Sequence, residues 1–217
     1  VYHSSCVMRK IFILVFCLHS FSLLAQNRSI DSLKILLAQI QTEKEQTKTL
    51  IELCWEYRFI NADSARIVGL QALELAQKNK LQEYEVEALH NIGITHEAQG
   101  NYAEALVYEL KALEFRRKMG DDSKTANTLN NIGIIYDEQG NYTRALEYYH
   151  EARKIYERLG DSGKIAMTLV NMAIVLKAQG EYATVIKYYR EALSIYESLQ
   201  NKFGMAVCYA NLGSVYY

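Results

Sequence analysis

The stretch NNIGIIYDEQGNYTRAL, residues 130–146, decides how this chain is read. HNIGITHEAQGNYAEAL stands at 90–106 and VNMAIVLKAQGEYATVI at 170–186, so Gly100, Gly140 and Gly180 are spaced by one constant period of forty residues. Self-similarity at a fixed period of this size marks a solenoid, in which each unit packs on its neighbours. A solenoid offers a long surface rather than an enclosed pocket, which points to binding before it points to chemistry.

Within one period the apolar spacing describes two helices. Leu129, Ile132, Gly133 and Tyr136 follow a three-then-four rhythm and share one helix face. Gly140-Asn141 interrupts it, with Asn141 suited to cap the next helix. Tyr142, Ala145, Leu146, Tyr149, Ala152, Ile155, Tyr156 and Leu159 then mark a second amphipathic helix. Gly160 stops it, and Asp161 or Ser162 starts the following one. Small residues recur where helices must approach closely: Gly93, Gly133, Ala173 and Gly213 on first helices, and Ala72, Ala112, Ala152 and Ala192 on second helices. The absence of proline suits long, unbroken helices.

The pattern from Asn131-Ile132-Gly133 through Tyr136, Gly140-Asn141-Tyr142 and Ala145-Leu146 resembles the tetratricopeptide repeat. Its common form has a period of 34 and often a proline. The forty-residue step is instead similar to the long-helix variants of Pins/LGN-type adaptors, kinesin light chain and Rap-type regulators. The resemblance covers roughly residues 46–217 and implies an all-α fold, a right-handed α-α superhelix of helical hairpins. Complete repeats are expected at 83–120, 123–160 and 163–200.

A degenerate repeat is expected at 46–80, its first helix from Leu50 to Ile60 and one residue out of phase, since Tyr57 precedes Ala65 by one residue less than Tyr136 precedes Ala145. Leu33, Leu36, Leu37 and Ile40 suggest a capping helix within 29–44. Residues 203–217 restart a first helix, and Tyr216-Tyr217 ends mid-pattern, so a fragment of a longer protein is expected, because a solenoid needs a polar end cap.

Met8, Arg9 and Lys10, then the apolar run Ile11–Leu18, predict a signal peptide at 8–25, cleaved after Ala25. The run is short of the roughly 20 apolar residues a membrane span requires. Residues 1–7 read as extra upstream sequence. The setting expected is exported, periplasmic or cell envelope. Export permits disulfides, but Cys54 and Cys208 lie too many repeats apart to meet and read as buried apolar residues. A formal net charge of −1 over 217 residues gives no reason to expect nucleic acid. A membrane partner would require a transmembrane helix further along the chain.

In tetratricopeptide arrays the first helices line a concave groove. The face turned from the core would carry Asn127, Asn130, Asn131, Ile134, Asp137 and Glu138, and at equivalent places His90, Asn91, Glu97, Asn171, Ile174 and Lys177. One asparagine recurs as Asn91, Asn131, Asn171 and Asn211. Such a ladder can pair with the backbone of an extended peptide, as the resemblance implies. Equally, each amide can bond a neighbouring helix and set repeat geometry. The recurring tyrosines read as packing between helices. The charged runs Arg116-Arg117-Lys118 and Glu43-Lys44-Glu45 read as solvated surface.

No catalytic constellation is legible, and no cofactor or metal is expected. His90 and His96 are spaced wrongly for a shared metal face, and there is no phosphate loop or nucleophile elbow. Two functions follow: a scaffold binding a peptide or partner segment in the groove, or the extracytoplasmic sensor of a membrane histidine kinase or transcriptional regulator whose output domain lies beyond residue 217. The sensor reading rests on fold-level analogy. A reporter fused behind residues 8–30 is expected to leave the cytoplasm; its retention would remove the exported setting.

Overall fold

The computed structural model describes residues 27–215. The leader expected at 8–25, and Tyr216 and Tyr217, lie outside the described residues. Every regular element among them is a helix. Helix α1 covers residues 27–39. It is followed by α2 Glu43–Tyr57, α3 Ala62–Lys78, α4 Gln82–Ala98, α5 Tyr102–Met119, α6 Asp122–Glu138, α7 Tyr142–Leu159, α8 Ser162–Ala178, α9 Tyr182–Ser198 and α10 Lys202–Gly213. The chain divides into two compact units between Thr95 and His96.

Two ladders of left-handed residues turn the chain. Gly100, Gly140 and Gly180 take φ of 74°, 73° and 80° between first and second helices. Gly120 and Gly160, both at 70°, close the second helices of their repeats. Lys80 and Gln200 hold the equivalent places with φ of 55° and 54°, a conformation that disfavours side chains with a Cβ. Several of the new helices, α6, α7 and α8 among them, are then capped by their own N-cap side chain. Asp121 accepts from the Lys124 N–H, Asn141 from Arg144 and Asp161 from Lys164, satisfying donors the helix cannot use itself.

In the first unit α2 packs on α3. Leu50, Ile51, Ala72 and Ala88 form the core, and Leu37 of α1 packs against it. In the second unit the helices pack in chain order from α5 to α10, and the first helices α6 and α8 also touch. Its core runs through Leu129, Ile132, Ala152 and Tyr156 to Leu169, Ala173, Val185 and Tyr189.

Large residues on one helix fit small ones on the other. A Cβ added at Gly133 of α6 would stand 2.6 Å from Cε1 of Tyr149 on α7. A Cβ at Gly204 of α10 would stand 2.6 Å from the Tyr196 ring of α9. In the first unit the large and small partners trade sides: a Cβ at Gly69 of α3 would meet Ile92 at 2.8 Å and Cys54 at 3.0 Å. Burying a ring as fully as Tyr149, which is 1% exposed, is worth on the order of 2 kcal/mol. Gly213 has nothing within 4 Å of its added Cβ, so close approach does not account for that glycine among the described residues.

Two expectations change. Helix α2 starts at Glu43, well before Leu50, because Thr42 caps it. The Thr42 hydroxyl accepts from the Glu45 N–H at 3.3 Å and donates to the Glu45 carboxylate at 2.8 Å. Arg116 is not solvated surface: it is 4% exposed and donates to the Lys124 carbonyl and the Thr128 hydroxyl of α6. Arg117 pairs with Glu151 and Lys118 with Glu114 at the surface. Cys54 and Cys208 are free and buried, and burial pushes the Cys54 thiol up to about 11.

Gly140→Ala is expected to cost about 1 kcal/mol, from the left-handed backbone alone. Gly133→Ala should cost about 1–3 kcal/mol through the clash with Tyr149. Urea unfolding of a double-mutant cycle should show coupling of Gly133→Ala, but not Gly140→Ala, to Tyr149→Leu. Absence of that difference would contradict the packing account.

Candidate functional site

The phase of each first helix decides which side chains face outward. In the second unit α6 buries Ala126, Leu129, Ile132, Gly133 and Ile135. This leaves Asn127, Asn131, Ile134 and Asp137 half-buried and Glu138 exposed. One period on, α8 leaves Met167, Asn171 and Lys177 half-buried and Ile174 43% exposed. In the first unit α2 buries Thr47, Leu50, Leu53 and Cys54, the same face shifted by one residue, as the offset of Tyr57 predicts. The shift carries Trp55, the chain's sole tryptophan, to the place that Ile134 and Ile174 occupy in the second unit. There it is 42% exposed and lines a groove of about 440 Å³ with Ser29, Leu33, Ile51, Glu52, Glu56 and Asn91. The guanidinium of Arg58 lies over its ring, 3.3 Å from the centroid. The degenerate first helix carries no recurring motif, so Trp55 becomes visible only once that one-residue shift is applied to every position.

The asparagines do not all do the same thing. In the first unit the Asn91 amide donates to the Ile51 carbonyl at 3.3 Å, and His90 beside it is half-buried. In the second unit the Asn171 amide donates to Asn130 Oδ1 at 3.2 Å. Asn211 donates to the Val207 carbonyl of its own helix at 2.9 Å. Asn127 accepts from the Tyr156 hydroxyl at 2.9 Å. Asn131 differs: half-buried, it makes no hydrogen bond to any described residue. Asn130 corrects the expectation of a groove residue. It is 3% exposed, because its place on α6 faces α8 and receives Asn171.

The charged candidates also separate. The Lys177 ammonium donates to the Ser214 hydroxyl at 2.7 Å. Glu97, on the end of α4 that belongs to the second unit, is half-buried. Nearby, the His96 ring stacks on Tyr108 with centroids 5.5 Å apart. Asp137 has neither hydrogen bond nor ion pair among the described residues. Burial, and then the neighbouring Glu138, hold its carboxyl above the ordinary range. The last turn of α6 contains no basic residue, so the negative end of the helix dipole adds to the same field. The Tyr102 hydroxyl donates to Glu138 at 3.2 Å.

Sequence reasoning overlooked one substitution inside the packing register. Tyr149 and Tyr156 of α7 recur as Tyr189 and Tyr196 of α9, all buried, but in α5 the same two places hold Glu109 and Arg116, equally buried. The tyrosine register alone makes these positions stand out. Among the described residues no group of three or more His, Cys, Asp or Glu is placed to hold a metal ion, and no helix is long and apolar enough to cross a membrane.

The sequence pattern of the tetratricopeptide repeat matches residues 85–158, 124–198 and 164–217. No curated protein matches the chain. Among solved structures it is similar to BtubC (BKLC) from P. vanneervenii, at 19% identity and a TM-score of 0.74 over 88% of this chain and 80% of that one. It is similar to the apo form of RapI at 21% identity, TM-score 0.76, over 87% of this chain and 54% of that one. A Rap protein complexed with Competence and Sporulation Factor matches at 18% identity, TM-score 0.73, over 91% and 62%. The chain thus spans little more than half the length of RapI, and at these identities the likeness bears on fold alone.

Asp137→Asn tests the electrostatics. A carboxyl held above its unfolded pKa costs stability once ionised, and the cost vanishes below both pKa values. The variant should therefore melt slightly above the parent protein at pH 7, with the advantage fading as pH falls through the carboxylate range. A lower melting temperature at pH 7 would mean that Asp137 has a stabilising partner.

Proposed function

We propose that this chain, which belongs to the tetratricopeptide-repeat family, is a protein-interaction module that holds an extended partner segment against its first helices. The observation that carries this is the row Asn131, Ile134 and Asp137 on α6, continued in register by Asn171, Ile174 and Lys177 on α8. Half-buried polar groups need partners, and within this row the Asn131 amide has none. An amide with free donors and acceptor can bracket a peptide backbone, while the isoleucines take apolar side chains.

The change from Asp137 to Lys177 at one register place means that the surface does not repeat a single contact. It reads a particular segment in one position. The Rap protein seen with Competence and Sporulation Factor supports such a use of the fold, as does the absence of any acid, base and nucleophile grouping in the sequence. The leader-like residues 8–25 support an exported setting for the interaction.

Asn131→Ala should weaken partner binding about tenfold or more while leaving helicity and melting unchanged, because the amide bonds nothing in the fold. Asn171→Ala should lower the melting temperature, because it leaves the buried Asn130 oxygen unpaired. Isothermal titration with a captured partner and circular dichroism read the two effects. Unchanged affinity for Asn131→Ala would contradict the groove reading, and a loss of fold in that variant would assign the amide a structural role.

A further inference from the structure

The groove face of the second unit contains a carboxylate, that of Asp137, which no described residue bonds. Gly133 lets one edge of the Tyr149 ring close on α6, with Cε1, Cδ1 and Cζ at 2.6, 2.7 and 3.0 Å from the Cβ that Gly133 lacks. Asp137 stands one turn further along the same helix, on the same side. Tyr149 is 1% exposed as a residue, and its hydroxyl makes no hydrogen bond to a described residue. The carboxylates of Asp137, Glu138 and Glu97 lie close enough to hold the phenol further above its usual range, beyond the effect of burial. A half-buried carboxylate without a cation, at the negative end of a helix, costs stability. Proteins tolerate such costs where function needs the groups.

We propose that Asp137, with the Tyr149 hydroxyl and Glu138 beside it, is a subsite for one basic side chain, a lysine ammonium or an arginine guanidinium, of the segment bound in the groove. The proposal rests on the groove reading above and adds the chemistry of the partner. A cation supplies donors to an acceptor-only carboxylate and to the phenol oxygen together. Ile134, one turn before Asp137, gives the aliphatic stem of that side chain a surface to lie on. A metal ion is disfavoured, since the described residues hold no grouping of ligands for one. One period on, Lys177 repels a second basic residue at the equivalent place, so the segment can dock in only one register.

Random peptides can stand in for the natural partner in the test. A phage-displayed library of random dodecapeptides is selected on the full chain, and the winning peptides are measured against the parent protein, Asp137→Asn and Asp137→Lys. The expected winners share a lysine or arginine at one position. They should bind Asp137→Asn about tenfold more weakly, and the loss should shrink as salt is raised. Selection on Asp137→Lys should enrich peptides without that basic residue. Circular dichroism should show both variants folded, since Asp137 bonds nothing in the structure. Winners with no basic residue in common, or affinities for Asp137→Asn within about twofold of the parent, would overturn the subsite while leaving the groove standing. Failure to enrich any peptide would overturn the groove reading and the subsite with it.

Discussion

The contact on which the rest depends is that between a bulky side chain of one helix and a small residue of the next. Tyr149 crosses α6 only because Gly133 has no Cβ, and Tyr196 meets α10 only because Gly204 has none. Interiors packed at crystal-like density leave little room to adjust such a seam. Once it is set, the phase of the first helix is set too. Leu129 and Ile132 must then face inward, and Asn131, Ile134 and Asp137 outward. The groove surface is thus the remainder of a packing problem solved on the other side of the helix.

The same constraint is met by different chemistry along the chain. In α7 and α9 the bulky places are tyrosines; in α5 they are Glu109 and Arg116, and in α3 Gly69 and Ala76. Where α3 has only glycine, the bulk moves across to Cys54 and Ile92 within the first unit. Arg116 offsets its desolvation through bonds to the Lys124 carbonyl and Thr128 of the adjoining helix, as a buried charge must. Each repeat therefore has its own core, and neighbours are interchangeable in pattern but not in composition.

Much of this was legible in the sequence, and for physical reasons. Glycine at a left-handed turn and an apolar rhythm of three and four are both short-range signals, so Gly140, Gly160 and the faces of α6 and α7 could be read directly. The one-residue offset of α2 was likewise legible from Tyr57 and Ala65, although the early start of that helix lay in the capping pair Thr42 and Glu45. What could not be read was the partner of each polar side chain. Asn131 and Asn171 occupy the same register place, yet one bonds no described residue and the other bonds Asn130. That difference comes from the residue on the neighbouring helix, not from the asparagine. Arg116 looked like part of a solvated basic run because its neighbours Arg117 and Lys118 are one. Only the register of Tyr156 distinguishes it.

The central claim is that the first-helix faces, rather than the outer faces of the second helices, are the working surface. Amide chemical-shift mapping on the labelled protein, during titration with a bound peptide or partner segment, tests it most directly. The account predicts that shifts concentrate at Asn131, Ile134 and Asp137 of α6 and at Asn171 and Ile174 of α8. Shifts centred instead on Glu147, Glu151 and Lys187, on the second helices α7 and α9, would contradict it.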